Sequence, residues 1–463
     1  MISRGSLILG IARDALTTHR LASDVAAHNI ANVSTPGYAR SRAELEALTL
    51  AGGRGQGVIV ATLQHARTRP RDDAVQQATS QQGGAALARD LAELGELALA
   101  TPGTATISDR IASFFGALRQ AEGAPQDLAA RRQVLASAAA MTQCFNRAAT
   151  AVASAQASAD SLLTDGVQQA NQALATIASL NAEIHALEGS GTPALDQRNA
   201  RALAVEELAT QVAVEVHEDS DGTLRVSLQG GPVLVEGGRS HALSASKDPV
   251  TGRVQVAVAT STARHQLDSD CGGRLGAALE QRDGELAALA SGLDQLAFDL
   301  AGALNAVHSA GTGLDGVSAR DLLDAGAGVN GAAAHLSLAA AVVSSPEALA
   351  FSLDAAGLPG DNRNLQLLLG VSTVALPSGR TASQSAGDLL AQAGVNMRSA
   401  SAAFDEASAR LGQTTALRES VQGVSLEEEM IAQAQAQRAF EAASKLVTVA
   451  DEMFSTVLDM VRR

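Results

Sequence analysis

Apolar residues near the two ends of the chain recur in alternating steps of three and four, whereas a central stretch alternates in steps of two. At the N-terminus Ile8, Ile11, Ala15, Thr18, Ala22, Val25 and Asn29 fall on one helical face, the spacing of a coiled-coil seam. This helix is expected to stop near Asn32, because Thr35-Pro36-Gly37-Tyr38 places Pro second and Gly third in a turn, the chemistry of type II. Gly52, Gly53, Gly55 and Gly57 predict a loop before a strand at Val58-Ile59-Val60. Helix returns from about Arg71, with breaks at Pro102-Gly103 and Gly123-Ala124-Pro125. The next proline is Pro193, and the roughly sixty residues between, mostly strong helix formers, would reach about 90 Å as one rod, with Gly166 as the candidate kink.

Period two then takes over: Val212, Val214 and Val216 alternate with Ala213, Glu215 and His217, and Leu224, Val226 and Leu228 with Arg225 and Ser227. Asp219-Ser220-Asp221-Gly222 reads as the hairpin turn between them. With Val254, Val256 and Val258 they predict a small antiparallel β domain over residues 211–268. Leu286, Leu289, Leu293, Leu296, Leu300, Ala303 and Val307 restore the helical step. Residues 309–362, rich in Gly and Ala, read as a variable connection or a reduced subdomain. The last helix is expected from about Leu426, with a seam of Phe440, Ala443, Val447, Ala450, Phe454, Val457 and Val461 and a second apolar stripe at Leu446, Val449, Met453 and Met460. A helix apolar on two faces must bury both, so it needs neighbours beyond its own chain. The fold class expected is mainly α: long helices and coiled-coil-like terminal helices with a small antiparallel β domain inserted. Terminal helical regions at 1–40 and 420–463 would frame a helical body at 41–210, 269–308 and 363–419.

Composition sharpens this. Hydrophobic residues make up 46% of the 463, yet the aromatics are eight Phe, one Tyr and no Trp, so helices must pack through small side chains. A net charge of -15 argues against nucleic acid or an anionic membrane as partner. Cys144 and Cys271 lie far apart with no Cys-x-x-Cys spacing and no clustered His, and suggest neither a disulfide framework nor a zinc site. No apolar run approaches the ~18 residues of a membrane span. The stretch Leu7–Ile11 is interrupted early by Arg13 and Asp14, so no cleaved signal peptide is expected.

Little here supports catalysis. Gly311-Thr312-Gly313-Leu314-Asp315-Gly316 has the glycine spacing of a dinucleotide loop, but a helix precedes it where the mechanism needs a strand. The nine His are scattered, and no nucleophile motif stands out. Glu427-Glu428-Glu429 reads as acids in the first turn of the last helix, with Ser425 as N-cap. The chain is therefore read as no enzyme, with no cofactor and no metal.

His28-Asn29-Ile30-Ala31-Asn32-Val33-Ser34-Thr35-Pro36-Gly37-Tyr38 is more specific than a helix end with polar caps, and the only tyrosine falls in it. It resembles the N-terminal signature of flagellar rod, hook and hook-associated proteins. Leu195-Asp196-Gln197-Arg198-Asn199, Asp361-Asn362-Arg363-Asn364 and Gly423-Val424-Ser425-Leu426-Glu427-Glu428-Glu429 extend the likeness to the hook-associated protein 1 family. Two departures stand: the segment after His308 is short for the additional outer domain of larger members, and Ala39-Arg40-Ser41 follows the tyrosine where a Ser/Thr-Arg-Gln run is common. The resemblance implies a secreted structural subunit at the hook-filament junction, exported by the flagellar route. Its terminal helices would self-associate in a ring or tube through Ile8, Ile11, Ala15, Ala22, Val25, Asn29, Asn32, Thr35, Pro36, Gly37, Tyr38, Phe440, Val447, Phe454, Val457 and Val461. Implied partners are the hook protein, the next hook-associated protein, and an export chaperone on the C-terminal helix. Another flagellar axial protein of hook or distal rod type, and a soluble helical adaptor, remain the alternative readings.

Overall fold

One helix of 62 residues, α4, sets the dimensions of the molecule. The computed structural model describes residues 2–35, 37–49, 55–100, 103–260 and 263–461, the side chains of residues 2–6, 49, 55–56, 457–458 and 461 excepted. In chain order come α1 (Ile2–Ala31), the hairpin β1 (Ser41–Thr49) and β2 (Gly55–His65), α2 (Arg69–Leu99), α3 (Ile107–Ala121), α4 (Leu128–Gly189) and α5 (Leu195–Gln211). Seven short strands follow: β3 (Val214–Glu218), β4 (Leu224–Leu228), β5 (Val233–Glu236), β6 (Arg239–Ser240), β7 (Leu243–Lys247), β8 (Val254–Ala259) and β9 (Arg264–Leu267). They form two antiparallel sheets, β3-β4-β5-β6 and β7-β8-β9. Next are α6 (Gly273–Glu280), a π turn at Gln281–Glu285 and α7 (Leu286–His308). Short elements fill the stretch beyond: β10 (Leu323–Asp324), α8 (Ala332–His335), β11 (Ser337–Leu338) and α9 (Ala340–Val343). The chain closes with α10 (Arg363–Gly370), α11 (Ala382–Gln422) and α12 (Leu426–Val461). The mainly helical class with small antiparallel sheets agrees with the sequence reading.

α4 begins where Asp127 caps the Ala129 N–H and then runs unbroken through Gly166. The glycine there is not a kink. A Cβ at that position would come within 2.7 Å of Leu275 Cδ2 and 3.0 Å of Gln211 Oε1, so its role is to let α6 and α5 approach. The N-terminal half of α4 buries Val134, Met141 and Phe145 with Phe114 and Leu118 of α3, Leu296 and Leu300 of α7, and Leu323 and Phe351 from the short elements. Its C-terminal half buries Leu163, Leu174 and Ile177 against Val205 and Leu208 of α5 and Val226, Leu234, Val256 and Val258 of the two sheets.

Three asparagines along α4 fasten these layers by donating to backbone carbonyls. Asn146 Nδ2 reaches Ala333 O at 2.8 Å, Asn171 Nδ2 reaches Leu243 O at 2.9 Å, and Asn181 Nδ2 reaches Leu224 O and Gly237 O at 2.8 Å each. Asn171 and Asn181 also accept the N–H of the strand residues they hold, Leu243 and Leu224, so irregular strand ends are satisfied by the helix instead of by water. Arg131, 1% exposed, fastens the short elements from below: Nε donates to Pro125 O at 2.6 Å, Nη1 to Leu349 O at 2.7 Å, and its guanidinium lies 4.3 Å from the centre of the Phe351 ring.

Two differences from the sequence reading concern the ends. The hairpin β1-β2 pairs Ser41 with His65 and Glu46 with Ile59, whereas only Val58–Val60 was expected as strand. The alternation of Ala43, Leu45 and Ala47 with Arg42, Glu44 and Glu46 carried the signal, weakened because Ala is a poor strand former. The expected glycine loop falls partly outside the described residues, and its Gly55 and Gly57 lie in β2. The two terminal seams also find a partner: α1 and α12 lie side by side over much of their length, each covering the other.

His308, fully buried at the end of α7, donates from Nδ1 to Arg320 O at 2.7 Å and accepts the Ala350 N–H at Nε2 at 3.0 Å, which fixes the neutral ring. Burial pushes its pKa below the ordinary 6.5, and the Arg320 carbonyl only partly opposes this. Because the unfolded chain binds this proton more readily, the contribution is complete above about pH 6.5 and is lost as pH falls below it. Urea unfolding should therefore show a midpoint that drops on acidification from neutrality, and a smaller drop in His308→Gln. An unchanged pH dependence in the variant would contradict the assignment.

Candidate assembly interface

Where α1 ends, its last carbonyls are taken up locally. The Asn32 N–H bonds His28 O at 3.1 Å and the Asn32 side chain bonds the same carbonyl at 3.0 Å. The turn after it closes with Tyr38 N–H to Thr35 O at 3.2 Å, and Gly37 holds φ +73°, the left-handed conformation a type II turn demands. Pro36 lies outside the described residues.

The turn delivers Tyr38 back onto Asn29. Asn29 is 1% exposed and uses every bond it can form: Oδ1 accepts from Tyr38 Oη at 2.8 Å and the Ser41 N–H at 3.0 Å, while Nδ2 donates to Ser41 O at 2.9 Å and Glu429 Oε2 at 3.0 Å. His28 Nδ1 meets the same phenol at 3.0 Å. Burial raises the Tyr38 pKa above its ordinary value; a hydrogen bond with Ser41 opposes this, and Asp196 and Glu429 add to it. Glu429, 3% exposed, meets Arg40 in an ion pair, Nε to Oε1 at 2.5 Å, and Arg40 Nη1 donates to Glu428 Oε2 at 2.7 Å. The acids of the last helix are thus more than a dipole match, because the third is buried against the other end of the chain.

The same link is tied to the helical body. The Ala39 N–H and Arg67 Nη2 both donate to Asn199 Oδ1, at 3.4 and 3.1 Å, and Arg67 Nη2 also donates to Gly37 O at 3.0 Å. His65 sits between Ala39 O, 3.2 Å from Nδ1, and Leu195 O, 2.9 Å from Nε2; burial lowers its pKa, and these carbonyls act against that. Arg198 closes a neighbouring cluster with Glu188 and Glu218 at 2.7 and 2.5 Å. Three landmarks far apart in sequence, around Asn29, Asn199 and Glu429, therefore meet at one joint. The fourth does not: Asn364 donates to Ala350 O at 2.6 Å among the short elements after α7.

Of the residues expected at the interface, Asn29 is buried. Ile8, Ile11, Ala15, Ala22, Val25, Asn32, Gly37, Tyr38, Val447 and Phe454 are partly buried, and Thr35 and Phe440 are exposed. The side chains of Val457 and Val461 are outside the described residues. Sequence reasoning missed Arg40, His65, Arg67 and Glu429, since their partners lie up to hundreds of residues away. The stripe Leu446, Val449, Met453 and Met460 stays 45–73% exposed, as do Met430 and Ile431 nearer the joint. Among the described residues no group of His, Cys, Asp and Glu is arranged to hold a metal, and no helix is long and apolar enough to cross a membrane.

The sequences on both sides of this joint match known protein families. Residues 9–38 match the flagella basal body rod protein family and residues 419–460 the C-terminal region of the flagellar basal body rod FlgEFG proteins, so both partners of the joint are of flagellar axial type. Residues 92–323, half of the chain, match the flagellar hook-associated protein FlgK helical domain. The chain belongs to the flagellar hook-associated protein FlgK family. Flagellar hook-associated protein 1 of Bacillus subtilis is 26% identical over 500 residues, covering 97% of this chain and 97% of that protein. That of Salmonella typhimurium is 28% identical over 363 residues, 73% of this chain but 64% of the relative. The structure of the flagellar hook junction protein FlgK from Burkholderia pseudomallei aligns with a TM-score of 0.51 at 25% identity, over 55% of this chain and 47% of that one.

Gly37→Val tests the turn. The substitution strains a left-handed position by about 1–2 kcal/mol and sets a Cβ 2.3 Å from Leu203 Cδ2. The melting temperature of the body should change little, while amide protection at the joint falls and flagellar assembly is impaired. A fully motile strain, or a globally unfolded monomer, would contradict this.

Proposed function

We propose that this chain is the structural subunit that joins the flagellar hook to the filament, assembling through its two terminal helices. The carrying observation is the outer stripe of α12, which stays exposed once α1 has covered the inner seam. Apolar surface so arranged on a helix calls for a neighbour. Copies of α1 and α12 from adjacent subunits are the natural cover, giving a ring or tube, with the hook protein on one side and the next hook-associated protein on the other. Before assembly the same stripe suits an export chaperone. The subunit is secreted by the flagellar route, and its role is mechanical, with no catalytic step.

Deletion of the gene should leave hooks without filaments and release filament subunits into the medium. Loss of the hook itself would instead indicate a rod or hook subunit, and intact filaments would sink the proposal. Complementation with Met453→Asp should fail although the monomer folds, because a charge buried at a subunit contact costs several kcal/mol.

A further inference from the structure

The seam between α1 and α12 is lined with small residues. On α12 the least exposed positions recur every seven residues, Glu429, Ala436, Ala443 and Ala450, with partly buried Ala432 and Ala439 between them. Such a row is a poor ruler. Near the joint, sliding α12 by one turn, about 5.4 Å, brings Ala432 or Ala439 to where Ala436 stood, and only farther along do the bulkier, partly buried Val447 and Phe454 enter the seam. The link from Gly423 to Ser425 that joins α12 to α11 is only three residues long, with a reach of about 10 Å, and carries no side chain that fixes the register.

Only one position in this row cannot slide. Glu429 is bound at Oε2 by Asn29, which is not free to follow it, and at Oε1 by Arg40, whose backbone is anchored. Asn29 is committed to both backbone groups of Ser41, and the Arg40 N–H is held by Gln422 O at 2.9 Å. A shift would leave a buried charge unpaired, a larger penalty than the alanine contacts in play. A single polar residue in an otherwise apolar seam position is a known means of fixing coiled-coil register.

We infer that Glu429 is a positioning residue that sets the register of α12 against α1. Its contacts with Arg40 and Asn29 select one axial setting, and so decide which side chains the outer stripe presents to the neighbouring subunit. The consequence for assembly rests on the function proposed above; the register itself does not.

The test uses the purified full-length monomer, so it stands whatever the deletion strain shows. Counting one heptad in opposite directions from the Asn29–Glu429 contact pairs Ala22 with Ala436. Ala22→Cys with Ala436→Cys reports this register, and Ala22→Cys with Ala432→Cys or Ala439→Cys reports a shift; the native Cys144 and Cys271 are buried in the body. With Glu429 present, a short thiol crosslinker should favour the first pair by about tenfold. Glu429→Ala should bring the three yields to within about threefold of one another at unchanged helix content, and Glu429→Gln, which keeps an acceptor for Asn29, should restore part of the preference. Retention of a single crosslinked pair in Glu429→Ala would overturn the proposal. So would loss of all three pairs in both variants, which would make Glu429 a requirement for pairing and not for register.

Discussion

A buried polar group must be paired, and the joint between the chain ends follows from that rule. Asn29 has two acceptor sites and two N–H donors, and Tyr38, Ser41 and Glu429 take all four. Because Ser41 opens β1 and Glu429 lies in the first turn of α12, one side chain at the end of α1 aligns a hairpin and the last helix of the chain. Arg40 adds the cation that makes a buried glutamate tolerable. Remove the asparagine and a backbone N–H, a carbonyl, a phenol and a carboxylate each lose a partner together.

The body is fastened by different means. Few aromatics are available, so the cores are filled by Leu, Val and Ala on long helices, and such packing fixes position weakly along the helix axis. Directional bonds supply what the apolar contacts lack: Asn146, Asn171 and Asn181 on α4, Arg131 beneath the short elements, and Arg201, whose Nη1 donates to Asn181 Oδ1 and Gly222 O at 2.8 Å each. Burial lowers the Arg201 pKa to about 10, and it still carries its proton at neutral pH.

The long helices, the strands after Gln211 and the stop near Asn32 were legible because each is written in local periodicity or turn chemistry. The strand β1 was not, since alternating Ala and Leu with Arg and Glu gives a weak amphipathic signal. Nor was Gly166, where the reason for glycine is a leucine more than a hundred residues later. Glu429 was legible as an acid at a helix start and illegible as half of a buried ion pair, because nothing local to it names Arg40. The seams at both ends were visible, but that they cover each other is a property of chain closure.

α4 is hydrogen-bonded from end to end, and the first and last of its three fastening asparagines, Asn146 and Asn181, are 35 residues apart, about 52 Å along the axis. The joint lies beyond the C-terminal end of this span, where α5 begins, while the short elements after α7 hang from the opposite end. The helix is thus a spacer as well as a scaffold: it holds the joint and the short elements a fixed distance apart.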